Sequence, residues 1–310
     1  MNLIPFIVLI VSFLAIIKSA DWLIDASSAL ALYLGISPLI VGLTVVAFGT
    51  SAPEASVNII ASFQKKSEIV IGNITGSNII NIGIVIGITS LIYTIKADWS
   101  VIRVDIPFAF ISSAAFILLV VDGLSNKDGL ILAILLFIYL NYLWLTSKSS
   151  RKKGNDLNRQ SMDLIHILFY LVLGIIGLVI SGYYIVDASV KIATLLGFSQ
   201  AFIGLTVVAF GTSLPELITC LVACHKKNDD IAVGNIIGSN IFNILFVLSV
   251  SSLISPIAFS SHLIIDLAFM LLFTFLLFIF SYTHKKISRL EGFVLMMLYL
   301  FYFVFIYLRR

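Results

Sequence analysis

Two glutamates lie in sequence that is otherwise too apolar to hold them. Glu54 closes the segment TVVAFGTSAPE that begins at Thr44, and Glu216 closes TVVAFGTSLPE that begins at Thr206. Ten of these eleven residues match at an offset of 162, so the chain carries a duplication. A second motif repeats at the same offset: GNITGSNIIN from Gly72 to Asn81, and GNIIGSNIFN from Gly234 to Asn243. A carboxylate repeated inside apolar sequence is costly unless it is used. Read as a helix, Thr50 and Glu54 are four apart on one face, with Ser51 adjacent. Pro53 cannot donate a backbone hydrogen bond, so it frees the Gly49 carbonyl, and Gly49 weakens the helix at the same place. The expected product is a helix broken near residues 47–53, with bare carbonyls beside a carboxylate and two hydroxyls. These are hard oxygen ligands of the kind that suit Na⁺ and Ca²⁺. Irregular backbone at membrane depth is tolerated only where it lines a cavity or a site.

The second motif follows the same logic. Ser77 and Asn81 are four apart, Gly72 and Gly76 permit close helix contact or a break, and Asn73 and Asn78 add further amides. The second half supplies Thr212, Ser213, Pro215 and Glu216, then Ser239 and Asn243. Brought together, Glu54 and Glu216 give a formal charge of −2, which matches one Ca²⁺ or two Na⁺. A lone intramembrane Glu is often a protonated structural group, and Gly-rich motifs are common packing devices. Duplication of both motifs at one offset argues for a site instead.

The elements that must position these residues are membrane helices. With 60% hydrophobic and 11% charged residues and a mean hydropathy of +1.12, the chain reads as a polytopic membrane protein. About ten apolar runs have spanning length: roughly 3–33, 38–64, 68–94, 101–121, 128–147, 164–195, 200–225, 230–256, 262–282 and 290–308. The first 20 residues are not read as a signal peptide. No Lys or Arg precedes their apolar run, and residues 19–54 match 181–216 at 20 of 36 positions, so cleavage would cut into the repeat. Lys and Arg fall twelve to five between the two sides, which puts the richer side in the cytoplasm and both termini outside. The net charge of +3 is thus a topology signal and no argument for nucleic-acid binding. The polar stretch at 148–163 reads as a cytoplasmic linker between five-helix repeats at 1–147 and 164–310. Five spans per repeat make the second copy inverted relative to the first.

Other polar residues read as supporting structure. Cys220 and Cys224, four apart, are packing residues. Asp25 and Asp187 match by offset and lie toward helix ends, where solvation or a local ion pair accounts for them; Lys18, Asp21 and Asp25 partly neutralise one another. His166, His225, His262 and His284 have no counterparts by offset and no assigned role. No nucleophile and base pair, His cluster or phosphate loop points to an enzyme.

The paired segments AFGTSAPE and AFGTSLPE, with GNITGSNIIN and GNIIGSNIFN, resemble the two alpha-repeats of the calcium/cation antiporter superfamily, specifically its prokaryotic sodium/calcium exchanger branch. The resemblance covers essentially the whole chain. It implies an all-α protein of ten transmembrane helices in two inverted repeats, with broken helices 2, 3, 7 and 8 around a midplane ion site and long tilted spans 1 and 6 sliding across it. It implies ligands at the Ala47 carbonyl, Thr50, Ser51, Glu54, Ser77 and Asn81, and at the Ala209 carbonyl, Thr212, Ser213, Glu216, Ser239 and Asn243. Many relatives carry Asp where this chain has Asn243, so one possible negative charge is missing, which argues against the potassium-dependent mode associated with that Asp. The expected activity is Ca²⁺ antiport against Na⁺ by alternating access in the cell (inner) membrane. No cofactor and no obligate protein partner are expected; the partners are the two ions and the lipid bilayer. The nearest rival is a Ca²⁺/H⁺ antiporter using the same glutamates, and a more distant one is a passive cation channel.

Overall fold

The structure is a computed structural model that describes residues 3–150, 163–196 and 209–309. Its helices, in chain order, are α1 (Ile4–Leu34), α2 (Pro38–Thr50), α3 (Ala52–Phe63), α4 (Ser67–Ile92), α5 (Val101–Val120), α6 (Asn126–Ser147), α7 (Leu164–Leu195), α8 (Ala209–Thr212), α9 (Leu214–His225), α10 (Asp229–Ile254), α11 (Ser261–Thr283) and α12 (Arg289–Leu308). Eight of the described helices are long and apolar enough to span a bilayer, and the bent pair α2–α3 makes a ninth. The run expected at 200–225 is described only from Ala209 onward, and residues 151–162 of the expected linker lie outside the described residues.

Burial sorts these helices into an inner and an outer set. The most apolar windows of α4 and α10 are 78% and 94% buried, whereas those of α1 and α7 are 33% and 28% buried. The inner helices α4 and α10 carry the second duplicated motif, and α1 and α7, like the still less buried α6 and α12, present apolar side chains to lipid. At 31 and 32 residues, α1 and α7 are each about 46 to 48 Å long, well beyond a hydrocarbon core of about 30 Å, so they must tilt. They pack against each other along most of their length. Small residues allow it: a Cβ on Gly174 would lie 2.9 Å from the Leu23 side chain.

The break expected near residues 47–53 falls at Ser51, where α2 and α3 meet at 47°. Pro53 sits in the first turn of α3, where its missing N–H costs nothing. The second copy of this motif repeats the interruption at Ser213, between α8 and α9.

The third and eighth spans differ from the expectation of broken helices. Both α4 and α10 run straight through, and each widens into a π-helical turn that begins at the motif asparagine, at Asn81–Ile86 and Asn243–Val247. Neither motif contains proline, so the backbone ladder is bulged and not cut. The glycines also part company. Gly72 and Gly76 break nothing, and no described atom lies within 4 Å of a Cβ built on either. Their counterparts Gly234 and Gly238 make the close approach, with Cβ positions 2.8 Å from the Leu39 carbonyl and 2.6 Å from the Leu43 carbonyl.

Backbone hydrogen bonds also staple the halves together at both ends of the bundle. A two-residue antiparallel ladder pairs β1 (Ile95–Lys96) with β2 (Lys286–Ile287), and at the opposite end Leu124 and Ile257 exchange hydrogen bonds at 2.8 and 2.9 Å. Two buried carboxylates that sequence reasoning passed over fasten the outer helices of each half. Tyr139 donates to Asp105 at 2.9 Å between α6 and α5, and Tyr302 donates to Asp266 at 3.0 Å between α12 and α11.

Candidate ion-binding site

Breaking the helix at Ser51 brings Thr50, Ser51 and Glu54 to one level, and the α8–α9 interruption does the same for Ser213 and Glu216. Both glutamates are fully buried. Among the described residues neither forms an ion pair. Each carboxylate accepts a long hydrogen bond from a neighbouring element. Ser77 on α4 donates to Glu54 Oε1 at 3.5 Å, and Ser51 donates across the halves to Glu216 Oε1, also at 3.5 Å. These distances are at the outer limit of hydrogen bonding. The second oxygens, Glu54 Oε2 and Glu216 Oε2, are buried with no hydrogen-bond partner among the described residues.

The amides follow a rule of their own. Asn81 gives its Nδ2 to Asn240 Oδ1 at 3.0 Å, and Asn243 gives its Nδ2 to Asn78 Oδ1 at 3.1 Å. Asn78 and Asn240 in turn donate to each other's backbone carbonyls at 3.3 and 3.4 Å. Each amide nitrogen of this crossed network donates inside the protein, while Asn81 Oδ1 and Asn243 Oδ1 are buried with no partner among the described residues, as is Ser213 Oγ. An amide whose nitrogen is tied down presents only its oxygen. The crossing joins α4 to α10, so the two oxygens are fixed relative to one another.

A third group surrounds the Ala47 carbonyl, which receives hydroxyl contacts from Thr50 and Ser239, both at 3.4 Å. Thr50 has one proton, and its shortest contact, 2.9 Å, is to Asn235 Oδ1; Ser239 Oγ lies 3.3 Å away. Asn235 from α10 thus uses up the hydroxyl proton and leaves the Thr50 lone pairs available.

The structure brings Ala47, Thr50, Ser51, Glu54, Ser77, Asn81, Ser213, Glu216, Ser239 and Asn243 into one buried layer. Thr212, half-buried, closes α8 at the edge of this layer, and the side chain of Ala209 lies outside the described residues. The orienting amides Asn235 and Asn240 went unremarked in the sequence, although each is the offset partner of an asparagine, Asn73 and Asn78, that was noted. The remaining polar residues behave as structure. Asp25 pairs with Lys226 at 2.7 Å and Asp187 with Lys191 at 2.6 Å. Cys220 and Cys224 are buried free thiols. His225 contacts the Tyr93 hydroxyl at 3.1 Å, and His262 contacts Ser260 at 2.6 Å.

Chemically, the layer is a buried set of carboxylate, amide, hydroxyl and carbonyl oxygens, the donor set of a hard cation. Two buried carboxylates with no countercharge among the described residues need positive charge brought to them if both are to be ionised.

Comparison with known proteins agrees with this chemistry. The family profile described as sodium/calcium exchanger protein matches residues 4–147 and again 166–308. The inner membrane protein YrbG of Escherichia coli is 37% identical over 80% of this chain and 79% of its own. The sodium/calcium exchanger MaX1 of Methanosarcina acetivorans is 32% identical over 97% of this chain and 98% of its own. Among solved structures, the sodium-calcium exchanger NCX_Mj superposes with a TM-score of 0.83 at 32% identity, covering 97% of this chain and 98% of that one.

Proposed function

Because this chain belongs to the sodium/calcium exchanger family, we propose that it is a secondary active antiporter that exchanges Ca²⁺ for Na⁺ across the membrane by alternating access. The observation that carries this reading is the set of buried oxygens with no partner among the described residues: one on each glutamate, Oδ1 on Asn81 and Asn243, and Oγ on Ser213. On this reading the ligands are Thr50, Ser51, Glu54, Ser77 and Asn81 with the Ala47 carbonyl, and Thr212, Ser213, Glu216, Ser239 and Asn243 with the Ala209 carbonyl. Ca²⁺ bridges the two glutamates, and Na⁺ ions occupy positions that flank them. The two ions share ligands, so one excludes the other, and that exclusion makes exchange obligatory. An empty slot with charge −2 is too costly to seal from water, whereas a loaded one is neutral and can be occluded. Asn243 keeps an oxygen in place without adding a third carboxylate, which supports a site neutralised by one Ca²⁺ or two Na⁺ and disfavours potassium dependence.

The architecture that goes with this function is ten spans in two inverted five-helix repeats, at 1–147 and 164–310 with a cytoplasmic linker at 148–163, in the cell (inner) membrane with both termini outside. The cationic loop residues support the orientation: Lys96 pairs with Lys286 in the β1–β2 ladder, and Arg103 and Lys285 both lie over Trp99 at the same end. The deciding experiment is ⁴⁵Ca uptake into vesicles under an imposed Na⁺ gradient. Wild-type protein takes up Ca²⁺, and Glu54→Gln and Glu216→Gln do not; exchange retained by both variants would overturn the assignment.

A Ca²⁺/H⁺ antiporter is the alternative, favoured by the same absence of any ion-pair partner for Glu54 and Glu216 among the described residues, because unpaired buried carboxylates also carry protons. Uptake driven by a pH gradient in Na⁺-free vesicles separates the two. A passive channel differs from both in showing conductance without coupling.

A further inference from the structure

Helices α1 and α7 pack on each other more extensively than on anything else, and much of the surface they leave over faces lipid. Apart from α7, the main partner of α1 is α9, the helix that carries Glu216 in its first turn and ends at His225. Whatever holds α1 to the turn after α9 therefore also fixes how the outer pair sits on the ion site.

That turn reaches out to α1 with three side-chain contacts. Lys226 Nζ lies 2.5 Å from Asp21 Oδ1 and 2.7 Å from Asp25 Oδ1, and it also donates to the Asp21 backbone carbonyl at 3.2 Å. Asn228 Nδ2 donates to Ser28 Oγ at 3.2 Å, and Lys18 holds the other Asp21 oxygen at 2.8 Å. The turn is rigid. Lys227 adopts a left-handed conformation with φ of 61°, and Lys227 and Asn228 donate back to the Cys224 and Ala223 carbonyls, closing the end of α9. Burial works against the Lys226 charge, but Asp21 and Asp25 outweigh it and hold its pKa above the ordinary lysine value.

The other half has the same turn with different chemistry. Lys65, the offset partner of Lys227, has φ of 56°, and Lys65 and Lys66 donate back to Ser62 and Ala61 in the same pattern. Yet the partner of Lys226 is Gln64, that of Asp21 is Tyr183, and that of Ser28 is Val190. Asp187, the counterpart of Asp25, turns to Lys191 on its own helix. These positions tie α1 to the core at one face and leave α7 without the equivalent tie at the other.

We infer that Lys226 is a positioning residue that docks the α1–α7 pair onto the ion-binding core at one face only, so that the two orientations of the exchanger are unequal in energy and the docked one is preferred. The inference rests on the alternating-access reading for its functional consequence, but the docking itself is a property of the resting protein. The test uses full-length protein in lipid vesicles, comparing wild type with Lys226→Gln, Lys226→Arg and the double variant Asp21→Asn/Asp25→Asn. Hydrogen exchange of α1 between residues 18 and 34 should accelerate about fivefold in Lys226→Gln and in the double variant, the scale of a partly exposed ion pair. Exchange in α4 and α10 should stay at the wild-type rate, and Lys226→Arg should restore α1. In Ca²⁺ uptake, the ratio of half-saturating Ca²⁺ concentrations measured from the two faces should shift by a similar factor in Lys226→Gln. Unchanged exchange in α1, loosening spread equally over α4 and α10, or an arginine variant as loose as the glutamine one would each overturn the proposal. If wild-type protein shows no Na⁺-driven Ca²⁺ uptake, the functional reading fails while the hydrogen-exchange result still decides the docking.

Discussion

The two copies of the duplicated unit agree at the centre of the protein and diverge toward its ends. At the centre Asn81 and Asn243 each spend their nitrogen on the other half and, like Glu54 and Glu216, each keep one oxygen without a partner among the described residues. One or two turns away the correspondence lapses. Along the helix that carries each glutamate, Asn58 and Ser62 in one copy become Cys220 and Cys224 in the other, and Gln64 becomes Lys226. An ion held between two halves meets both at once, so its ligands are constrained as a set. A helix end meets only one face of the membrane, and each copy is free to suit its own.

The strongest way to break this comparison is at the glutamates. Glu54→Gln and Glu216→Gln should abolish Na⁺-driven ⁴⁵Ca uptake to the same degree; a large residual rate in one of them alone would show that the halves share the ion unequally. The glycines should respond in the opposite manner, with unequal effects. Gly238→Ala places a Cβ 2.6 Å from the Leu43 carbonyl and should destabilise the protein by about 1 to 3 kcal/mol, read as a lowered melting temperature in detergent. Gly76→Ala, with no described atom within 4 Å of its Cβ, should leave the melting temperature unchanged or raise it.

Smaller effects probe the supports of the site. Asn78→Ala and Asn240→Ala each release the amide that orients the facing asparagine, and each should weaken apparent Ca²⁺ affinity roughly tenfold, as loss of a group behind a metal ligand does. A clear difference between the two would count against a centre that works as a crossed pair. The smallest effect belongs to the outer fasteners: Tyr139→Phe and Tyr302→Phe should each cost about 0.6 kcal/mol of thermal stability with transport unchanged. A loss of transport would move Asp105 or Asp266 from scaffold to mechanism.

Much of the centre can be read from the chain because a buried charge is improbable twice at one spacing. Glu54, Glu216 and the hydroxyls beside them announce themselves by residue type, and Pro53 and Pro215 announce the interruption in the helix. What supports the centre is less legible. Asn235 and Asn240 look like repeats of motif letters until the structure shows which nitrogen reaches which oxygen. The π-helical turns at Asn81 and Asn243 add too little to the helical period to disturb the apolar pattern, so a break and a bulge look alike. Asp105 and Asp266 are offset by 161 and Tyr139 and Tyr302 by 163, so a search at 162 passes between them. The contact of Lys226 with α1 spans about two hundred residues, and nothing local in either segment signals it.

The backbone staples at the two ends are themselves a matched pair, since Ile95 and Ile257 stand at the duplication offset and each is clasped by a residue of the opposite half. Together with the asparagine crossing between α4 and α10, they mean that the two halves hold each other by contacts as well as by the peptide chain. The gene could therefore be divided within the codons for residues 151–162, and the two products, made separately in one cell, should find each other and reassemble as a working heterodimer.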